Sequence, residues 1–232
     1  MRSLLRWFGR GVAAILTLVV LYQLWIFAHV LWWAEHAPRS TAFMAAGLAR
    51  EQAKKPDAEL RHRWVPYGEI SIHLKRAVVA AEDAHFVEHR GFDVAGIQTA
   101  VEKNWKKGRL VAGGSTISQQ LAKNLFLSSE RSFLRKGQEA IITVMIESTW
   151  SKRRILEVYL NVIEWGNGVY GAEAAAQRYT GRPAARLNRD QAARLAAMIP
   201  NPRWYEHHRE SRTYQRRVAA IKRYMDAAQV PQ

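Results

Sequence analysis

The chain contains no cysteine. Disulfide stapling, cysteine-ligated zinc and a thiol nucleophile are therefore excluded, although nothing follows about the compartment. Acidic residues are scarce as well: 20 Asp and Glu stand against 35 Lys and Arg, a formal charge of +15. An excess of that size favours an anionic partner, whether nucleic acid, a phospholipid surface or a phosphorylated substrate. No sustained two-residue alternation of apolar and polar positions marks a sheet, and no internal repeat or low-complexity tract is found. Apolar content is ample, at 48% of 232 residues against 24% charged, which excludes disorder as the main state. The length suits one domain, or one domain with appendages.

The apolar residues are unevenly spread. Residues 11–34, GVAAILTLVVLYQLWIFAHVLWWA, hold no Asp, Glu, Lys or Arg. As a helix rising about 1.5 Å per residue, this run slightly exceeds the roughly 30 Å hydrocarbon core. Trp7, Phe8, Trp32 and Trp33 flank it where an aromatic belt would sit. A cleaved signal peptide has a shorter apolar region ending in small residues, and bulky Trp32 and Trp33 occupy this end. The run reads as a single uncleaved membrane span. Arg2, Arg6 and Arg10 precede it, while Arg39 and Arg50 are the nearest bases after it. That bias places residues 1–10 in the cytoplasm and the rest outside.

Residues 35–60 mix helix formers with Pro38 and Pro56 and read as a juxtamembrane connector. Residues 61–69 are too interrupted by Pro and Gly for a helix. Beyond them apolar residues recur at three to four positions: Leu74, Ala77, Val78 and Ala81; Ile155, Leu156, Tyr159 and Leu160; Ala193, Ala196 and Ala197. Glycines at 91, 108, 113–114, 166–171 and 181 punctuate these stripes. The expectation is an all-α domain over residues 61–232.

Four segments concentrate polar chemistry. Glu82 to Gly91, EDAHFVEHRG, sets three carboxylates and two imidazoles at a helix end. It reads as a polar terminus or as half of a zinc site, since His85-x-x-Glu88-His89 would put two imidazoles on one helical face. Gly113 to Asn124, GGSTISQQLAKN, looks like a loop entering a helix N-terminus, where free N–H groups suit an anion. It matches neither a Walker loop nor a hydrolase elbow. Arg135 and Glu139 in RKGQE share a helix face and form at least an i,i+4 ion pair. In SKRRILEVYLN, Ser151 is placed to cap a helix, which leaves Arg153 and Arg154 in a first turn where the dipole disfavours cations.

Taken together, and in this order, these segments resemble the peptidoglycan glycosyltransferase (transglycosylase) family. The motifs are EDxxFxxHxG, GxSTxxQQxxKN, RKxxE and KxxILExYLN, followed by GNGVYGAEAAAQRY and LAAMIPNP, across residues 64–205. The short exported part resembles the monofunctional members. No Ser has Lys three residues later and there is no K-T-G, so a transpeptidase domain is not expected. Arg153 and Arg154 depart from the acidic or polar residues common after the fourth motif's Lys, with a bearing on how the domain meets anionic lipid.

The resemblance implies a lysozyme-like α-helical fold behind a single N-terminal transmembrane helix, with a membrane-embedded hydrophobic portion near the first motif. It implies polymerisation of lipid II at the periplasmic face of the inner membrane, with inversion to a β-1,4 linkage and release of undecaprenyl diphosphate. Glu82 corresponds to the catalytic base, and Glu139, 57 residues on, to a second essential carboxylate. Lys123, Arg135 and Lys136 match positions that contact the substrate diphosphate. Ser115, Thr116, Gln119, Gln120, Asn124 and Lys152 complete the expected substrate-binding set. No cofactor is implied, a divalent cation at the diphosphate stays open, and zinc is disfavoured because His85 falls on a variable position of the motif. The partners implied are lipid II, the nascent glycan and membrane lipids, with cell-division or wall-synthesis proteins as further candidates and no nucleic acid.

Overall fold

The structure is a computed structural model that describes residues 2–108, 114–130 and 132–232. The chain divides into two units, Met1–His36 and Ala37–Gln232.

The first unit is one helix, α1 (Arg2–Glu35). Its stretch Arg6–Glu35 is long and apolar enough to cross a membrane. Leu16, Leu18, Leu24 and Trp25 are exposed on it, as a lipid-facing surface requires.

The second unit begins at Ala37, earlier than the sequence suggests, because residues 37–60 are not merely a tether. Within them α2 (Ala42–Gln52) starts at Thr41, whose Oγ1 accepts the Met44 N–H at 3.2 Å. α2 is tied to the rest of the unit by Arg50, which donates to Glu164 at 2.7 Å, and by the Tyr170 hydroxyl, which donates to the Phe43 carbonyl at 3.0 Å. There follow β1 (Arg61–His62), a 3-10 turn over Tyr67–Glu69, α3 (Ile72–Glu82) and α4 (Val94–Lys107). The central helices are α5 (Ile117–Phe126), α6 (Phe133–Thr149) and α7 (Lys152–Val162). β2 (Glu164–Gly166) and β3 (Val169–Tyr170) precede α8 (Ala172–Thr180), α9 (Arg189–Met198), α10 (Pro202–Tyr205) and α11 (Arg212–Tyr224).

The predominance of helix agrees with the periodicity, but a small sheet is present. Its order is β1-β3-β2: Arg61 pairs with Val169 in parallel, and Glu164 with Tyr170 antiparallel. Strands of two or three residues are too short to show an alternating pattern. Asn161 explains why the 61–69 segment docks here. It is fully buried, its Nδ2 donates to the Val65 carbonyl at 2.9 Å, and its Oδ1 accepts the Val65 N–H at 3.0 Å. One side chain thus satisfies both backbone groups of a loop that no ladder reaches.

The core lies where α3 packs on α9 and α11, and α5 on α6 and α7. Leu74, Val78, Leu121, Ile142, Ile146, Ile155 and Leu156 are all fully buried. At about 1.5–3 kcal/mol per buried aliphatic side chain, these residues fix how the helices cross. They thereby fix where the end of α3 meets the start of α5.

Candidate active site

α3 ends at Glu82, and the chain then turns through residues 83–91 to Gly91. Gly91 has φ +89°, and a Cβ there would come within 2.8 Å of the Thr143 methyl, so only glycine closes this turn without strain. His85 and His89 therefore do not share a helical face. His89 Nε2 lies 2.9 Å from Asp83 Oδ1, and His85 faces Asp93. Among the described residues no cluster of three or more His, Asp or Glu could hold a metal, and the helix that would set His85 and His89 on one face stops at Glu82.

Asp83 joins the first two motifs. Its Oδ2 accepts the Ile117 N–H at 3.0 Å, at the start of α5. Thr116 caps the same helix: its Oγ1 accepts the Gln119 N–H, Gln119 Oε1 accepts the Thr116 N–H, and Thr116 Oγ1 donates to the Gly91 carbonyl at 2.6 Å. Thr116 and Gln119 are buried and engaged in this capping box. Their side chains position the loop rather than face solvent, whereas Ser115 is exposed at its mouth.

The result is a cleft of about 470 Å³ lined by Glu82, Asp83, His85, Asp93, Ser115 and Thr116. Glu82 is held from two sides. Oε2 accepts from Gln120 Nε2 at 3.0 Å, and Gln120 Oε1 in turn accepts from the Tyr159 hydroxyl at 2.9 Å. Oε1 accepts from Arg217 at 2.7 Å, reaching over from α11. Burial pushes the Glu82 carboxyl above its usual range, the Arg217 charge and the two hydrogen bonds pull it back, and the neighbouring Asp83 charge adds to the rise. Burial likewise raises Tyr159 well above the phenol range. That hydroxyl remains a donor, and the Tyr159–Gln120–Glu82 chain has a defined direction.

Gln120 also borders a second cavity, of about 280 Å³, lined by Phe43, Lys123, Asn124, Tyr159, Glu164 and Arg203. Lys123 Nζ lies 5.5 Å from the Phe43 ring centre. Asn124 Nδ2 donates to the Gln120 carbonyl at 2.8 Å.

Arg135, Lys136 and Glu139 form a separate group on α6. Arg135 donates to Glu139 Oε2 at 2.7 Å and Lys136 to Oε1, so both carboxylate oxygens are engaged by the same helix. Glu139 is buried and is not among the residues lining the Glu82 cleft. Two cations against one carboxylate leave this group net positive. Lys152 lies elsewhere again: its Nζ donates to Glu147 at 2.8 Å and sits 4.6 Å from the Phe86 ring centre. Glu147 also accepts from Ser118, which links α5, α6 and α7 behind the first motif.

The transglycosylase family model matches residues 49–226, three quarters of the chain. The chain belongs to the transglycosylase family. It is 78% identical to the biosynthetic peptidoglycan transglycosylase of Thiobacillus denitrificans over the full length of both. It is 63% identical to that of Azoarcus sp., again over all of both chains. The protein of that name from Laribacter hongkongensis is 60% identical over 98% of this chain and all of its own. The helical unit is accordingly the lysozyme-like transglycosylase domain, and its match begins inside α2. Arg217 was missed by motif reasoning, but it leaves a trace. Tyr214, Val218 and Ile221 form the buried stripe of α11, and Arg217 falls on that stripe, three residues from Tyr214.

Proposed function

We propose that this transglycosylase polymerises lipid II into glycan strands for the cell wall, with Glu82 as the general base. The observation that carries the reading is a carboxylate oriented by Gln120 and Arg217, made more basic by burial, at the wall of an open cleft. The acceptor sugar hydroxyl gives its proton to Glu82 as its oxygen bonds to the donor's anomeric carbon. The bond from that carbon to the lipid diphosphate breaks, and the electron pair leaves with the diphosphate. Attack opposite the leaving group inverts an α linkage to β-1,4.

The departing charge needs cations. Lys123 beside the second cavity and the net positive Arg135–Lys136–Glu139 group supply them, guanidinium as a fork and ammonium as a point charge. In this reading Glu139 orients Arg135 and Lys136 rather than moving a proton. Ser115, Gln120 and Asn124 line the sugar path, while Thr116, Gln119 and Lys152 hold its walls. No step consumes a cofactor, and a divalent cation assisting the reaction would sit on the diphosphate itself. The absence of Ser-x-x-Lys and K-T-G supports glycosyl transfer without transpeptidation. Arg2, Arg6 and Arg10 ahead of the apolar run support an inner-membrane protein with its N-terminus in the cytoplasm and the domain on the periplasmic side.

The test is the Glu82→Gln protein, which keeps the shape and one acceptor oxygen for its two donor partners, Gln120 and Arg217, while removing the charge. With lipid II in detergent, polymer digestible by a muramidase should form about 10²–10⁴-fold more slowly, the usual contribution of a general base. A rate within threefold of wild type in a correctly folded variant would sink the assignment.

A further inference from the structure

At the end of α3 opposite Glu82, about 15 Å away along the helix axis, lies a cavity that the reaction does not use. It encloses about 570 Å³ between the Tyr67 turn, the first turn of α3, Arg153 of α7 and residues 226–232. Three cations converge on it. Lys75 is 7% exposed, and its ammonium, which carries three donors, makes one hydrogen bond, to the Tyr67 carbonyl at 3.1 Å. The Arg76 Nε is buried without a partner. The Arg153 guanidinium stands 4.6 Å from the centre of the Tyr67 ring, and Lys75 Nζ stands 4.0 Å from the same centre.

Among the described residues none of the three has a carboxylate within ion-pair distance, although the Arg76 charge acts on Asp226, which also lines the cavity. The carboxylates nearby are committed elsewhere: Glu157 accepts the Tyr67 N–H and pairs with Arg154, and Asp226 pairs with Arg189 at 2.8 Å. Burial first, and then the Arg153 charge, hold the Lys75 ammonium below its usual range. Uncompensated charge in a semi-enclosed cavity costs energy unless an anion is there to take it. A carboxylate offers two oxygens, whereas a phosphoryl group can accept from several donors at once and so meets all three cations.

We propose that this cavity is a binding site for a phosphoryl group, distinct from the catalytic cleft and held by Lys75, Arg76 and Arg153. The group belongs either to free phosphate or to a lipid headgroup. The proposal is independent of the assigned reaction, so it stands or falls apart from the role of Glu82.

The experiment compares melting of the full chain and of the Arg76→Gln/Arg153→Gln variant. Both are measured in maltoside micelles with sodium chloride or inorganic phosphate at matched ionic strength, and in nanodiscs of phosphatidylcholine with and without phosphatidylglycerol. A millimolar site predicts that about 20 mM phosphate raises the wild-type midpoint by about 4 °C more than it raises the variant's. A selective shift with phosphate identifies a soluble anion, and one with phosphatidylglycerol identifies a headgroup. Phosphate bound in the catalytic cleft affects both proteins equally and cancels in the difference. Arg153→Lys, which keeps the charge, should retain most of the shift. If the double variant does not fold, Arg76→Gln alone serves, because its buried Nε has no hydrogen-bond partner to lose. Equal responses of variant and wild type to both probes would overturn the proposal.

Discussion

A general base must be ionised at the working pH and still want a proton, and Glu82 is placed to be both. Burial makes its carboxylate more basic than a free glutamate, and Arg217 keeps that carboxylate from being neutral. The two influences act on one side chain from opposite directions, and with Glu82 as the proposed base their balance would set where the acid limb of the rate falls. Arg217→Gln removes the counter-charge and leaves the burial, so the Glu82 pKa should rise further and the acid limb of kcat/KM should move to higher pH. Activity lost at neutral pH should then be partly recovered in alkaline buffer. An arginine that served only to pack α11 would lower the rate equally at every pH, and a pH profile separates the two. The same shift has a sign for stability. Between the ordinary value of 4.5 and its raised folded value, Glu82 binds more proton folded than unfolded, so this group's contribution to stability falls as pH rises through that window. Acid that silences the enzyme should therefore relieve the fold at this residue.

At the scale of elements, chemistry depends on how α3 and α5 meet, and that junction is made of caps. Thr116 closes the α5 N-terminus and also donates to Gly91, while Asp83 accepts the next N–H along. Thr116→Val keeps the volume and removes the hydroxyl. It should cost about 1–3 kcal/mol in a denaturant titration, from the lost cap and the unpaired Gly91 carbonyl. It should also slow polymerisation, because Ser115 and Gln120 flank the same turn. A variant of unchanged stability would mean that water or Asp83 already satisfies the helix end. The Ser151 cap and the Arg135–Glu139 pair were legible in the sequence because each lies within four residues of its partner, whereas Thr116, expected to bind substrate, turns out to cap α5. So was the helical character of the domain, from its three-to-four-residue stripes. Three features were not legible. The Arg217–Glu82 contact spans 135 residues, the β1–β3 pairing joins fragments too short to carry a pattern, and α2 docks through Arg50 and Phe43, which belong to no motif. Each is a long-range contact whose partners are chosen by packing, not by local spacing.

At the scale of the whole molecule, α1 and the Ala37–Gln232 unit carry separate tasks. Every residue assigned to binding or chemistry, from Lys75 to Arg217, lies in the second unit together with the caps and core that position it. The first unit offers an apolar helix with no assigned chemical group. As the proposed anchor, it would contribute to encounter: a lipid-linked substrate and an enzyme held in the same bilayer gain effective concentration without any new contact. Removing residues 1–36 should leave a domain with wild-type helical content by circular dichroism and a cooperative melt. In detergent that domain should still polymerise lipid II, with a raised KM and a kcat within about tenfold of the full chain, because a uniform loss weakens binding of ground and transition states alike and leaves the barrier between them unchanged. Raising lipid II should recover most of the rate. A truncated protein that folds, melts cooperatively and makes no polymer at any lipid II concentration would show that α1 takes part in forming the site, and the division of labour between the two units would be wrong.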